Sequence, residues 1–140
     1  MGTHQIMLVI LSVVLVGVAV ALGIFIFQNQ SQNTNRQLLV NDLNFLGTEA
    51  LRFWRTPPSM GGGAPDINSQ DQEKLEFYLH WAGNTNQTAS GTYTIQAYDD
   101  GRIIVVGTGT EVGNDNTNPV RAILTVSTRT DTLMRITLEN

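Results

Sequence analysis

The residues of this chain that could carry out chemistry are few and widely separated. Its two histidines are His4 and His80, and neither stands in a motif with the ligand spacing of a metal site. The chain contains no cysteine, which excludes disulfides, zinc knuckles and thiol catalysis. Its serines stand in no nucleophile-elbow or Ser-x-x-Lys pattern. We therefore predict no catalytic residue, no metal site and no cofactor, and we expect a protein that is not an enzyme.

Two acidic segments and one glycine cluster offer binding chemistry, but each has a simpler structural interpretation. Asp99–Gly101 and the segment from Glu111 to Asp115 could supply oxygen ligands for Ca²⁺. However, Asp-Gly is typical of a hairpin turn, and residues 112–119 have the composition of a polar loop. Gly61–Gly63 lacks the Lys-Ser/Thr that follows the glycines of a phosphate-binding loop. We interpret this cluster as a tight chain reversal that needs positive φ.

Composition narrows the classes of partner. The chain has 140 residues and a net charge of −4, with eight basic residues scattered along it. A nucleic-acid-binding protein would present a concentrated basic face, so we predict no nucleic-acid partner. Charged residues are sparse and small polar ones abundant, a composition that suits a secreted or surface protein.

The first structural element that the sequence predicts is an apolar run, Ile6–Phe27. No charged residue precedes Arg36, and as a helix the run would be about 33 Å long, enough to cross a bilayer. It is too long for a removable signal peptide and ends in no small-residue cleavage site. A plain membrane anchor would carry flanking Lys or Arg and an aromatic belt. We expect instead that a basic leader preceding Met1 has been removed.

The same run could pack against identical runs in neighbouring subunits. Gly17, Ala19, Ala21 and Gly23 are small enough to let helices approach closely. The polar side chains at the N-terminus would then need partners, which a neighbour's N-terminus would supply. The predicted assembly residues, which share burial in such a bundle, are Met1, Thr3, His4, Gln5, Ile6, Leu8, Ile10, Leu11, Val14, Leu15, Gly17, Val18, Leu22, Gly23, Phe25 and Phe27.

The apolar run and the polar stretch after it form one segment, residues 1–35. An amphipathic pattern begins after this segment, and residues 36–140 are predicted to form a globular head. Apolar residues at alternating steps of four and three predict one stripe along a helix over residues 36–56. The stripe consists of Leu39, Leu43, Leu46, Ala50 and Phe53. Pro57-Pro58 ends this helix, and a glycine-rich loop covers residues 59–70. We predict a single long helix, apolar in its first half and amphipathic in its second.

The rest of the head, residues 74–140, is predicted to be a β meander. Four strands are expected: Thr92–Tyr98, Arg102–Gly107, Val120–Ser127 and Thr132–Leu138. Lys74–Trp81 also alternates with strand period, although Ser69 followed by acidic residues could start a short helix instead. We favour the strand.

One face of this sheet should bury against the helical stripe. Met134, Ile136 and Leu138 are expected to share one face of the last strand, and aromatics such as Trp54 and Trp81 to cap the core. The predicted fold is α+β: a long N-terminal helix packed on an antiparallel four-stranded sheet. The predicted head core is Leu39, Leu43, Leu46, Ala50, Phe53, Ile95, Leu124, Val126 and Ile136.

An apolar half-helix continuous with an amphipathic half-helix on an antiparallel sheet resembles the plan of type IV pilins. Met1–Gln5, the apolar run, Gly61–Gly63 and Val106–Glu111 also resemble a group of short, uncharacterised pilin-like bacterial proteins that begin Met-Gly-Thr-x-Gln. In pilins the fifth mature residue is typically a glutamate that meets a neighbour's amino terminus. The matching residue here is Gln5, which can form hydrogen bonds but no ion pair.

The resemblance implies a structural subunit of an extracellular filament at the cell surface. Its partners would be further copies of itself in a helical homopolymer, the inner membrane before assembly, a leader peptidase and the pilus assembly machinery. Two alternatives remain open. The chain could be a single-pass membrane-anchored surface binding module, or a minor pilin-like component of a secretion system.

Overall fold

A computed structural model describes residues 2–63, 67–98, 100–115, 117–128 and 133–139. Two helices and five strands make an α+β fold with one antiparallel sheet, ordered β1-β2-β3-β4-β5. The helices are α1 (Gly2–Arg55) and α2 (Gln72–Tyr78), and the strands are β1 (Thr85–Gln87), β2 (Gly91–Ala97), β3 (Arg102–Val112), β4 (Pro119–Ser127) and β5 (Met134–Glu139). Single turns of 3₁₀-helix cover Pro58–Met60 and Ser69–Asp71.

The predicted long N-terminal helix is confirmed, because α1 runs through 54 residues without a break. It contains no proline, and at Gly17 and Gly23 it stays helical in open surroundings. It ends just before Pro57, whose extended backbone cannot continue the helix. Arg52 and Arg55 lie in its last turn, where positive charge is favourable beside the carbonyl ends.

The predicted stripe of α1 packs on the sheet. All five of its residues are buried, and Leu39, Leu43, Ala50 and Phe53 are fully so. Gly47 is buried beside them, and a Cβ there would lie 2.4 Å from the Met134 sulfur. A larger residue at this position would require the Met134 side chain to move.

The sheet has five strands where four were predicted, because β1 was missed. β1 is three residues long, entirely polar, and pairs antiparallel with β2 at the sheet edge. The core prediction holds well: Ile95, Leu124 and Val126 are fully buried and Ile136 is partly buried against them. Leu138 shares their face of the sheet but is exposed, since β5 is the opposite edge strand.

The strand predicted over Lys74–Trp81 is wrong, and the helical alternative is correct. The Asn68 side chain accepts a hydrogen bond from the Gln70 backbone, and Asp71 completes a capping box that starts the turn leading into α2. Leu75 is fully buried on the one side of α2 that meets the core. His80, with φ of 59°, then ends the helical region. The β meander consequently begins at Thr85 rather than at residue 74.

Two glycine turns behave largely as predicted. Gly61 has φ of 84° and Gly101 has φ of 77°, and Gly101 lies in the hairpin between β2 and β3. Gly62 is required for a different reason, because a Cβ there would lie 1.9 Å from the Thr56 carbonyl oxygen. Met1, Asp99 and Thr132, which also entered the predictions, lie outside the described residues.

Candidate functional site

The first candidate surface is the N-terminal part of α1. Every residue from Gly2 to Gln30 is exposed, because the head contacts α1 only further along the chain. By length and composition, α1 contains a stretch that could cross a membrane, and none of that stretch is buried. Its one polar side chain between Ile6 and Phe27 is Ser12, whose hydroxyl donates to the Leu8 carbonyl within the helix. The segment therefore presents an apolar surface with its hydroxyl already satisfied.

The predicted assembly residues from Thr3 to Phe27 all lie on this segment and surround the helix on every side. No single face is reserved for a partner, which is the pattern of a helix surrounded by apolar material. Thr3, His4 and Gln5 are exposed at the end of the segment furthest from the head.

The junction between this segment and the head is Asn35, which is 5% exposed. Its side-chain amide donates to the Ser90 carbonyl at 2.9 Å and to the Thr110 hydroxyl at 3.3 Å. Its amide oxygen is buried without a hydrogen-bond partner among the described residues. A Cβ at Gly109 would lie 2.1 Å from that oxygen. Asn35 thus ties α1 to β3 and to the turn before β2.

The second candidate surface is a groove of about 850 Å³ between α1 and residues 77–93. We call it the head groove. Its lining includes three large apolar side chains that the head leaves exposed: Phe45 at 65%, Met60 at 77% and Phe77 at 84%. Exposed apolar residues are common singly, but several around one concave surface mark an interaction site.

The lining of the head groove also includes a polar contact. The Tyr93 hydroxyl donates to the Asp42 carboxylate at 2.7 Å. Burial raises the pKa of Tyr93, and the hydrogen bond to Asp42 and the charge of that carboxylate raise it further. None of the four ion pairs found in the described part of the chain involves Asp42.

At one end of the groove Glu49 and Arg52 form an exposed ion pair at 2.7 Å. The hydrogen bond and the charge of Glu49 raise the pKa of Arg52. Because this pair is intrahelical and open to solvent, it adds little to stability, and its charges largely cancel. Among the described residues that line the groove, Asp42 is therefore the carboxylate without an ion-pair partner.

The remaining chemistry-bearing residues do not converge on a second site. His80 is exposed and lies in the turn after α2 rather than in the strand predicted over Lys74–Trp81. The Asp115 carboxylate accepts backbone hydrogen bonds from Thr117 and Asn118 within its own loop. Trp54 and Trp81 pack partly buried against the core, as predicted. Over residues 2–63, 67–98, 100–115, 117–128 and 133–139, no group of three or more His, Asp or Glu could hold a metal ion.

No protein-family model, no curated protein and no solved structure matches this chain. The head groove was not predicted from the sequence, since it is built from segments far apart in the chain. One signal was available: Phe45 is a large aromatic residue that falls outside the buried stripe of its own helix.

Proposed function

We propose that this protein is a structural subunit of an extracellular, type IV pilus-like filament that polymerises through the apolar half of α1. The observation that carries the proposal is the complete exposure of Gly2–Gln30 on an otherwise well-packed fold. An apolar helix exposed on all sides is stable only in lipid or among other apolar helices. The head leaves it free for either environment.

Assembly would exchange one apolar environment for another. In the membrane the segment is solvated by lipid, so leaving it gains little hydrophobic free energy, and close packing must supply the attraction. Gly17 and Gly23 have nothing within 4 Å of where a Cβ would stand, which leaves room for a neighbouring helix. The internal hydrogen bond of Ser12 survives the transfer, because it needs no water.

The partners in this proposal follow from the resemblance and from the helix. They are other copies of the chain, the inner membrane before assembly, a leader peptidase and the pilus assembly machinery. Gln5 would make a neutral hydrogen bond to a neighbouring N-terminus in place of an ion pair. Subunits related by a repeated screw operation form an open filament, whereas a rotation that closes would form a ring.

A second candidate function is a single-pass membrane-anchored binding module. The head groove favours it, because a concave surface of this volume, lined mostly by apolar side chains with a few polar groups, is typical of ligand sites. A minor pilin-like component of a secretion system would share the fold of the filament subunit and differ in its abundance.

The deciding experiment is to shear intact cells that produce the protein and to examine the released fibres by cryo-electron microscopy. Mass spectrometry of the subunit N-terminus would accompany it. We expect fibres built of this chain, with Ile6–Phe27 along the axis and the heads outside. Finding the chain only in the membrane fraction, with no fibre containing it, would reject the filament and favour the anchored module.

A further inference from the structure

We propose that the head groove binds a small organic cation, an ammonium ion attached to an apolar or aromatic body. The ammonium pairs with the Asp42 carboxylate, and the apolar body lies against Phe45 and Phe77. This site gives the anchored binding module its class of ligand. It does not rest on the filament, because all the residues that line the groove belong to the head.

Asp42 supplies the charge that selects a cation. The Tyr93 hydroxyl donates to one of its carboxylate oxygens at 2.7 Å, and the described residues make no other hydrogen bond or ion pair to Asp42. A carboxylate has lone pairs for several donors, so it can still bind a ligand. The hydrogen bond from Tyr93 also holds the carboxylate in place, which reduces the entropy lost when a ligand binds.

The other charges of the groove leave this carboxylate uncompensated. Arg52 is the one guanidinium among the described lining residues, and it is paired with Glu49 at 2.7 Å. With histidine counted as neutral at pH 7, the lining has one more negative charge than positive. An anionic ligand would therefore be repelled, and a neutral one would desolvate the carboxylate without compensation.

Exposed aromatic rings accompany the carboxylate. Phe45 lies three residues after Asp42 on α1, so the two side chains are neighbours on the helix surface. Phe77, on α2, lines the same groove and is 84% exposed. Aromatic rings attract ammonium ions through their faces and also contact apolar groups. A hard metal ion, in contrast, would need several oxygen ligands, so the combination of groups favours an organic cation.

The groove has the size of a small-molecule site. Its volume of about 850 Å³ lies within the range of about 300–1,000 Å³ that is usual for such sites. Its uncompensated charge is a single carboxylate, whereas a basic peptide would be matched by a row of them. The occupant is therefore one free cation rather than a polypeptide.

The test uses benzyltrimethylammonium, a water-soluble cation with one aromatic ring, and the full chain in neutral maltoside micelles at about pH 8, where histidine is normally uncharged. NMR signals of the two indole N–H groups would follow the titration, because Trp81 lines the groove and Trp54 does not. We expect a saturable shift of the Trp81 signal with a Kd on the order of 1 mM or tighter. Benzyl alcohol, which has the ring but no charge, should bind at least about tenfold more weakly.

Asp42→Asn is the deciding variant, because asparagine still accepts the Tyr93 hydrogen bond but has no charge. It should weaken binding of the cation at least about tenfold. Glu73→Gln is the matched control, since it removes the same charge from an exposed position outside the groove lining and should leave the Kd unchanged. Phe77→Ala should weaken binding about two- to fivefold.

Three results would overturn the site: no saturable shift of the Trp81 signal, equal affinity for benzyl alcohol, or an unchanged Kd in Asp42→Asn. Because Phe77 is 84% exposed, Phe77→Ala leaves the fold intact, and an unchanged Kd in that variant would overturn the site even if Asp42→Asn failed to fold. A Phe-Lys-Phe peptide that bound at least about tenfold more tightly than the cation, and only with Asp42 present, would assign the groove to a polypeptide instead. The shearing experiment tests filament formation separately, so the two proposals can fail independently.

Discussion

The two halves of α1 are one continuous helix in two unrelated environments. Between Leu39 and Phe53 a stripe of side chains is buried against the sheet, and the exposed face is polar apart from Phe45. Between Ile6 and Phe27 nearly all side chains are apolar and all are exposed. The backbone hydrogen bonds are alike in both halves, so backbone geometry does not distinguish them. The side-chain pattern alone distinguishes them: one half packs within the head, and the other presents an apolar surface that the head leaves exposed.

This difference in environment predicts that the two halves of α1 have separate effects, one on the stability of the head and the other on insertion or assembly of the chain. Core residues of the second half should determine whether the head folds, and residues of the first half should determine whether the chain inserts or assembles. Asn35 stands at the boundary and holds the head to the helix through two hydrogen bonds. Four substitutions test this separation, in order of decreasing effect.

The largest effect is expected from Phe53→Ala. Phe53 is fully buried and its ring meets Tyr78 edge-on at 5.5 Å. Its truncation should lower the free energy of unfolding of the head by about 3–5 kcal/mol. The full chain in detergent micelles would be unfolded with urea and followed by fluorescence of Trp54 and Trp81, which are the two tryptophans of the chain.

Phe25→Ala is the control for this measurement, because Phe25 is 63% exposed in the first half of the same helix. It should leave the head within about 0.5 kcal/mol of the original stability. If the two variants unfold the head equally, the two halves are not independent and the comparison is wrong.

The next effect is expected from Leu15→Arg. A charge at the centre of a helix in lipid costs about 2.5–3.5 kcal/mol, and a bundle of apolar helices offers it no partner. Membrane insertion and the yield of sheared filaments should both fall, while the urea transition of the head stays in place. Asn44→Arg, at an exposed position of the second half, should leave all three unchanged. Normal filaments from Leu15→Arg would show that the apolar half is not packed in the axis.

A smaller effect is expected at the boundary. Asn35→Ala removes the hydrogen bonds to Ser90 and Thr110, and should destabilise the head by about 1–3 kcal/mol. Asn33→Ala, two residues earlier and exposed, should change nothing measurable. If the two variants have equal urea midpoints, the boundary between the two halves of α1 does not lie at Asn35.

The smallest effect is a dependence on pH. Because the pKa of Tyr93 is raised in the folded head, the unfolded chain loses this proton first as the pH rises above about 10. The stability contributed by Tyr93 is therefore fully present below that pH and decreases above it. Above about pH 10, the urea midpoint of Tyr93→Phe should therefore fall less steeply with pH than that of the original chain. If the two fall equally steeply, Tyr93 is not the source of the pH dependence.

The parts of the fold that periodicity could predict are those with many apolar residues at regular spacing. The stripe of α1 and the faces of β2 and β4 are of this kind, and all were identified from the sequence. β1 could not be, since Thr85–Gln87 contains no apolar residue and pairs with β2 through its backbone and through the Thr85 and Thr94 hydroxyls. α2 was misassigned because Leu75, Phe77 and Leu79 alternate over too short a span to separate a helix from a strand.

The head groove could not be predicted from the sequence, because its lining residues are far apart in the chain. Asp42 and Tyr93 are 51 residues apart and meet only after the sheet docks on α1. The apolar half of α1 was predictable from local composition, because it forms a helix without any contact to the rest of the chain.

The absence of any break in α1 has a mechanical consequence. A tensile load applied to the N-terminal segment passes along an unkinked helix, with no proline or coil between Gly2 and Arg55 to extend first. The load reaches the head near Asn35 and spreads along the buried stripe as shear between helix and sheet. Separating the helix from the sheet under such a load would require many side chains to slide at once, so the helix transmits the load without extending first.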